Sequence, residues 1–397
     1  MIIKSILDTD LYKFSTSFAY MQNFPDAEGT FEFHDRGNTK YTDDFVDKVR
    51  LEITNLSALK MTKEEFDFVT KTIKYIPLHY WEWLRGFQFN PGKVSIELDK
   101  EDHLHISVTD KLYKVTLYET IILAIVSELR SNAWYEAEVY LGNYPNIKKR
   151  VIDRLIPKVE LSNTMGLPFS EFGMRRRFSF NVQDQVIEYL KKEAKYCTGT
   201  SNVYFAMKYD MKPIGTHPHE WFMFHGAMFG YKMANYMALE NWVETYDGDL
   251  GIALTDTYTT DVFFKNFSKK HAKLFDGVRQ DSGDELEFIK KTVARYKEHG
   301  IDPTTKTIIF SNALTFEKAA IIYKHCEGKI RAAFGIGTNL TNDIEGSVPG
   351  NLVMKLTKCR MNSKQSWSSC IKLSDDLGKH MGPEVEVKNC KYECNIC

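Results

Sequence analysis

The sequence predicts an α/β protein whose larger part is an α/β barrel. From about residue 170 onward, short extended segments alternate with helical ones, the trace of parallel strands joined by helices. Most of those extended segments end in a small, polar cluster, as barrel strands do where the loops after them converge on one face. An open doubly wound sheet would bind ligand at one switch point and would not need a polar cluster after nearly every strand. Residues 1–150 are of mixed character and read as an N-terminal α/β domain, able to take in part of the C-terminal segment. The barrel then covers residues 151–357, and 358–397 form a C-terminal segment. No low-complexity linker or internal repeat divides the chain.

In order, Leu7 to Phe14 opens a helix, with Asp8, Thr9 and Asp10 all competent as caps. Residues 30–35 alternate apolar and polar and predict a strand. Residues 63–76 and 81–85 read as helices, and 94–98 with 104–108 as a hairpin around a polar turn. An apolar buried helix is expected over 120–129 and another helical segment over 151–160. In the barrel region the extended clusters are 169–178, 197–202, 213–219, 252–257, 278–284, 307–312 and 331–338. Helices are expected over 182–194, from Val203, over 223–245, over 285–299 and up to Tyr323, with Gly300 stopping the fourth. A last strand covers 352–356.

Composition narrows the class. The chain has 397 residues, 43% hydrophobic and 13% aromatic, enough for a sizeable core. Lys plus Arg (52) nearly balance Asp plus Glu (53), so no global charge favours nucleic acid or a membrane surface. The start of the chain lacks the apolar core of a signal peptide, and the run 121–126 is too short to span a bilayer. Seven cysteines, an odd number, indicate reduced thiols and a cytoplasmic protein. Cys390, Cys394 and Cys397 have a spacing that can ligate zinc, but no second pair with finger spacing accompanies them, and they read as an exposed tail.

The chemistry concentrates in the stretch Lys212-Pro-Ile-Gly-Thr-His-Pro-His-Glu-Trp-Phe222. It sets His217 and His219 two residues apart ahead of a helix start, where backbone N–H groups favour an anion, including a phosphate carried by the imidazole. Taken alone, either histidine reads as an ordinary loop or capping residue. The other clusters supply Arg175, Arg176, Arg177 and Arg279, several Gly-Thr or Ser-Gly pairs, and Asp256, Asp281 and Asp284. Glycine-flanked hydroxyls suit phosphate oxygens, and arginines add bidentate recognition of phosphate or carboxylate. At least one of Arg175 to Arg177 is expected on a solvated face. Asp281 and Asp284 can hold Mg²⁺ or a sugar, or cap the next helix. No P-loop, kinase signature or dinucleotide fingerprint is present. The residues alone therefore describe a barrel enzyme acting on an anionic, phosphorylated substrate.

Several motifs in order carry a resemblance over nearly the whole chain. They are Asp8-Thr-Asp-Leu-Tyr-Lys13, Glu171-Phe-Gly-Met-Arg-Arg-Arg-Phe178, Gly199-Thr-Ser-Asn202, Gly215-Thr-His-Pro-His-Glu-Trp-Phe222, Ala253-Leu-Thr-Asp256, Arg279-Gln-Asp-Ser-Gly-Asp284, Phe334-Gly-Ile-Gly-Thr338 and Lys372-Leu-Ser-Asp375. With these the chain resembles the nicotinate phosphoribosyltransferase family in its bacterial, ATP-coupled form. The resemblance implies an irregular, type II phosphoribosyltransferase-like α/β barrel with an N-terminal α/β domain. It also implies a homodimer with shared active sites. Nicotinate and 5-phosphoribosyl 1-diphosphate (PRPP) would give nicotinate mononucleotide and pyrophosphate, coupled to ATP hydrolysis, with Mg²⁺ accompanying ATP and PRPP.

By the same resemblance His219 is the phosphorylated histidine, and Thr216 and Arg279 hold the nicotinate carboxylate. Phe172 and Tyr12 sandwich the pyridine ring, Tyr12 coming from the partner subunit. Gly335, Gly337 and Thr338 form a PRPP phosphate loop, Arg175 lies near the ligands, and Asp281, Ser282 and Asp284 support the site. No metal ligand is assigned. Glu171 stands where Asp is frequent, Asn312 where an acidic residue is common, and the tail after Asp375 is foreign to the pattern. A nicotinamide-using relative, a non-catalytic phosphometabolite sensor and an ordinary sugar-phosphate barrel enzyme are the alternatives.

Overall fold

A computed structural model gives the fold, and it describes all residues of 1–397 except Tyr144, Leu377, Lys379 and Cys397. The strands are β1 (Glu28–Asp35), β2 (Val94–Leu98), β3 (Leu104–Lys111), β4 (Phe169–Glu171), β5 (Cys197–Thr200) and β6 (Ile252–Leu254). They continue with β7 (Gly277–Gln280), β8 (Thr307–Phe310), β9 (Arg331–Ile336), β10 (Leu352–Arg360) and β11 (Ser368–Ser369). Two sheets result. The first has the order β11-β10-β1-β3-β2 and is antiparallel throughout. The second has the order β5-β4-β9-β8-β7-β6 and is parallel throughout.

The second sheet runs in chain order except that its last strand, β9, pairs with its first, β4. Winding round a barrel requires that pairing. Between β5 and β6 no strand pairing closes the ring among the described residues, so the sheet stays open there. The segment after β5 continues its edge through a parallel bridge from Thr200 to Pro213. These strands are short, and β4 and β7 at least are buried on both faces, as parallel strands covered by helices are.

The strand expected over 352–356 forms, but in the other sheet. β10 lies antiparallel to β1, with Glu28 opposite Arg360 and the Arg360 Nε donating to the Glu28 carboxylate at 2.7 Å. Its alternation explains the choice: Leu352, Met354 and Leu356 are buried while Val353, Lys355 and Thr357 are half-exposed, the signature of a one-sided antiparallel strand. Residue 357 thus lies inside β10, and the first sheet draws on both ends of the chain.

Two helical expectations change and one helix is added. The helix over 223–245 is two helices, His219–Phe229 and Tyr231–Tyr246, broken at Gly230. Gly230 has φ +82°, which a residue with a Cβ adopts only under strain. The apolar helix at 120–129 runs over Glu119–Tyr140, its second half carrying a polar outer face. A helix not foreseen, Asp43–Asn55, is capped by Thr42, whose hydroxyl accepts from the Phe45 N–H at 3.3 Å.

Asp8 and Asp10 do not cap the first helix, Leu11–Asn23, with their side chains. Asp8 is fully buried and accepts from Arg177 at 2.8 and 3.0 Å and from Asn202 at 2.8 Å. Asp10 accepts from the Ser201 hydroxyl at 2.6 Å. The opening segment is thereby fastened to the loop after β5 of its own chain.

The C-terminal cysteines are not an exposed tail. Cys390 and Cys394 are buried on and just after the helix Glu384–Glu393, which docks on Tyr231 through Glu386 and Glu393. Cys397 lies outside the described residues. The six described cysteines are free thiols. Among the described residues no helix is long and apolar enough to cross a membrane.

Candidate active site

The histidine loop ends where Pro218 directs the chain into the helix His219–Phe229. His219, its first residue, is buried. Its Nδ1 lies 3.1 Å from Thr257 Oγ1, and its Nε2 lies 3.0 Å from Asp281 Oδ2 and 2.9 Å from Lys372 Nζ. Asp281 is oriented in turn by the Ser311 hydroxyl, which donates at 2.6 Å. Burial, aided by the Lys372 ammonium, pushes the imidazole down to about 4. Burial would raise Asp281, but Arg279, His219 and Lys372 outweigh it and hold the carboxyl well below the usual range. The site therefore presents a neutral imidazole beside an ionised carboxylate, an arrangement that orients a nucleophile.

His217 differs completely. Its ring sits in an aromatic cage, 4.1 Å from Trp242 and 5.6 to 5.7 Å from Phe222 and Phe275 between centroids. Burial drives its pKa far down, and neither ring nitrogen has a hydrogen-bond partner among the described residues. It is a core histidine.

A cavity of about 690 Å³ opens in front of His219. Tyr12 and Phe172 line it together with Arg175, Arg279 and Lys372. The Arg175 guanidinium stands 5.9 Å from the centre of the Tyr12 ring. Arg279 lines the cavity, is almost wholly buried and donates from one terminal nitrogen to Thr216 Oγ1 at 3.0 Å, so a hydroxyl outside the lining steadies the guanidinium. Gly335, Gly337 and Thr338 line the far end of the same cavity.

Comparison with known proteins gives a consistent answer. The nicotinate phosphoribosyltransferase (NAPRTase) family matches residues 167–395, and its N-terminal domain matches 7–127. The nicotinate phosphoribosyltransferase of Chromohalobacter salexigens is 44% identical over 383 residues, 96% of this chain and 95% of that protein. That of Desulforapulum autotrophicum is 41% identical over 98% of each chain. A crystal structure of nicotinate phosphoribosyltransferase from Porphyromonas gingivalis superposes with a TM-score of 0.94 at 49% identity, covering 100% of both chains. A structure from Saccharomyces cerevisiae described as a putative nicotinate phosphoribosyltransferase gives 0.90 at 33% identity, covering 100% of this chain and 99% of that one. The chain belongs to the nicotinate phosphoribosyltransferase family.

Seen as a nicotinate phosphoribosyltransferase, the chain gathers most of the expected residues into one place and corrects others. Tyr12 lines the same cavity as Phe172 and His219 within one chain. Of the three arginines, Arg175 keeps a side chain 40% exposed, as expected of at least one of them. Arg175 faces the cavity, and Arg176 donates to Leu352 O at 2.9 Å. Arg177 is fully buried against Asp8. Asp284 is a helix cap, accepting from the Glu287 N–H at 2.8 Å. Ser282 lies behind the cavity, donating to Asp256 at 2.5 Å and accepting from the Asp375 N–H at 3.0 Å. Gly335 also lies close against Phe172, since a Cβ there would stand 2.4 Å from the ring.

Sequence reading missed Lys372, Lys355, Arg36 and Glu119, which line the cavity, and Thr257 at His219 Nδ1. Only Lys372 lay inside a recognised motif, without a role. Burial of the Lys355 amine, offset by Glu119, brings it down to about 7. His219, Asp256 and Asp281 offer ligand atoms within 4.8 Å of one another. Asp256 Oδ1 is buried without a hydrogen-bond partner among the described residues, so this set has spare capacity for a cation.

Proposed function

We propose that this family member joins nicotinate to PRPP, releasing pyrophosphate, and couples the step to ATP hydrolysis through a phosphohistidine at His219. The observation that carries the reading is one cavity lined by the His219 imidazole, the Arg279 guanidinium with Thr216 bonded to it, and the rings of Tyr12 and Phe172. His219 takes the γ-phosphoryl of ATP; ADP leaves, and water later releases phosphate. Asp281, kept ionised, orients the ring and offsets positive charge that develops on it. Nicotinate lies between Tyr12 and Phe172, its carboxylate on Arg279 and Thr216. Its ring nitrogen attacks C1 of PRPP, the new N–C bond forms and pyrophosphate departs. Arg175, Lys372 and the Gly335 to Thr338 loop supply positive charge and bare amides for the phosphates. Mg²⁺ entering with ATP or PRPP would find oxygen ligands in Asp256 and Asp281 and would neutralise phosphate charge.

The product is a pyridine nucleotide on the route to NAD. Nicotinamide would leave Arg279 facing an uncharged amide, which disfavours that substrate. Six free thiols fit a reducing compartment, and the cytoplasm is the location we assign. Both rings lie in one chain, so this reading does not require the homodimer that the resemblance implies. The test is pyrophosphate release with nicotinate, nicotinamide or quinolinate, each with and without Mg-ATP. Nicotinate-dependent release stimulated by ATP supports the proposal. Release with nicotinamide alone, or PRPP binding without release, overturns it.

A further inference from the structure

Directly behind the cavity is a buried ionic cluster that the reaction above does not use. Lys13 follows Tyr12 on the first helix and is fully buried. Its Nζ donates to Glu220 Oε2 at 2.9 Å and to Thr116 Oγ1 at 3.1 Å, and it is ion-paired with Glu119. The Thr116 hydroxyl donates to the other Glu220 oxygen at 2.5 Å. The same ammonium stands 4.9 Å from the Tyr12 ring centre and 5.2 Å from that of Phe31.

Three connections make this more than a core ion pair. Glu220 is the residue after His219 and sits in the first turn of its helix, so its clamp holds the histidine end. The backbone of that turn is also tied to the first helix, since Tyr20 Oη donates to Glu220 O at 3.2 Å. Glu119 lines the cavity and lies 3.4 Å from Tyr12 Oη. A single cation thus touches the elements that carry the stacking ring and the histidine.

We infer that Lys13 is a positioning residue that couples His219 to the ring-stacking site, so that phosphorylation of His219 is felt at Tyr12 through Glu220 and Glu119. One ammonium faces two carboxylates, and burial pushes Glu220 up. Any shift of the first turn of the histidine helix alters the Lys13–Glu220 contact. Lys13 is on the same helix as Tyr12 and cannot adjust without moving the neighbouring residue. The inference rests on the phosphohistidine reading and goes beyond it by naming the link.

The experiment uses the full chain with Lys13→Met, which keeps length and removes the charge. Two quantities are read: acid-labile phosphate on His219 after Mg-ATP, and the ratio of the nicotinate KM without ATP to that with ATP. The expected result is that labelling and ATP-independent turnover persist while this ratio falls at least about fivefold, the lower end of site-to-site coupling. Thr116→Val cuts the same cluster without changing charge and should lower the ratio by a smaller factor, which keeps the test open if Lys13→Met fails to fold. Equal losses with and without ATP, leaving the ratio intact, would mean a structural ion pair and overturn the inference. A wild-type enzyme that takes no label defeats the phosphohistidine reading instead, so the two failures are distinct.

Discussion

At the scale of single residues, the two buried histidines that border the cavity differ in their partners. His219 meets Asp281 and Lys372, whereas the His217 ring packs against Trp242, Phe222 and Phe275. Mg-ATP should place one acid-labile phosphate on His219 and none on His217, and His219→Ala should abolish ATP stimulation; phosphopeptide mapping checks both. A free imidazole is half protonated at about pH 6.5, but His219 is pushed down to about 4. The initial labelling rate should therefore stay nearly flat from about pH 7 to about pH 5.5 instead of falling through the ordinary histidine range. For stability the sign is opposite to that of a salt-bridged histidine. The unfolded imidazole takes its proton near 6.5 and the folded one near 4, so stability is full above 6.5 and falls by about 1.4 kcal/mol per pH unit below it, until the folded ring titrates. Arg279 gives the other residue-scale prediction. Arg279→Ala removes a charge-assisted contact of roughly 1.5–3 kcal/mol. The nicotinate KM should rise about tenfold or more, with the preference over nicotinamide lost. An unchanged preference would assign Arg279 to phosphate.

Among elements, the approach of β9 to the loop after β4 shapes the ring pocket. Gly335 lies beside Ser170 in the parallel register of these strands, and a Cβ on it would collide with the Phe172 ring at 2.4 and 2.5 Å. Gly335→Ala should tilt that ring and raise the nicotinate KM well above any change in the PRPP KM, as steady-state kinetics with each substrate varied would show. A selective rise in the PRPP KM would return Gly335 to the phosphate loop. The sequence showed this glycine only as part of a Gly-Ile-Gly-Thr cluster, because the ring that needs the space lies far away in the chain. Element boundaries followed the same rule: Gly300 was legible as a helix stop, while the break at Gly230 was hidden inside an apolar run.

For the whole molecule, the central fact is that one chain folds its own first helix against its own barrel. Asp8–Arg177, Asp10–Ser201 and the Leu11 N–H to Ser201 O bond at 2.8 Å hold Tyr12 at the cavity. Mixing Tyr12→Ala subunits with His219→Ala subunits should then restore no ATP-coupled activity, since every site keeps one lesion. Partial recovery, with subunit exchange confirmed by mass spectrometry, would restore the shared-site arrangement.

The sequence by itself determined the alternation of strands and helices, the hairpin at 94–108, the family and a core of the residues that line the cavity, Tyr12, Phe172, Arg175, His219 and Arg279 among them. These are local signals, or ordered motifs, and survive without knowledge of contacts. Only the tertiary structure decided that β10 leaves the barrel for the first sheet, that Arg177 is a buried counter-ion and that Lys372 meets His219 at 2.9 Å. It also brought Tyr12 to the cavity that Phe172 and His219 line. The reason is physical: pairing, burial and charge compensation join residues more than a hundred positions apart, and no periodicity along the chain records which distant partner removes each from water.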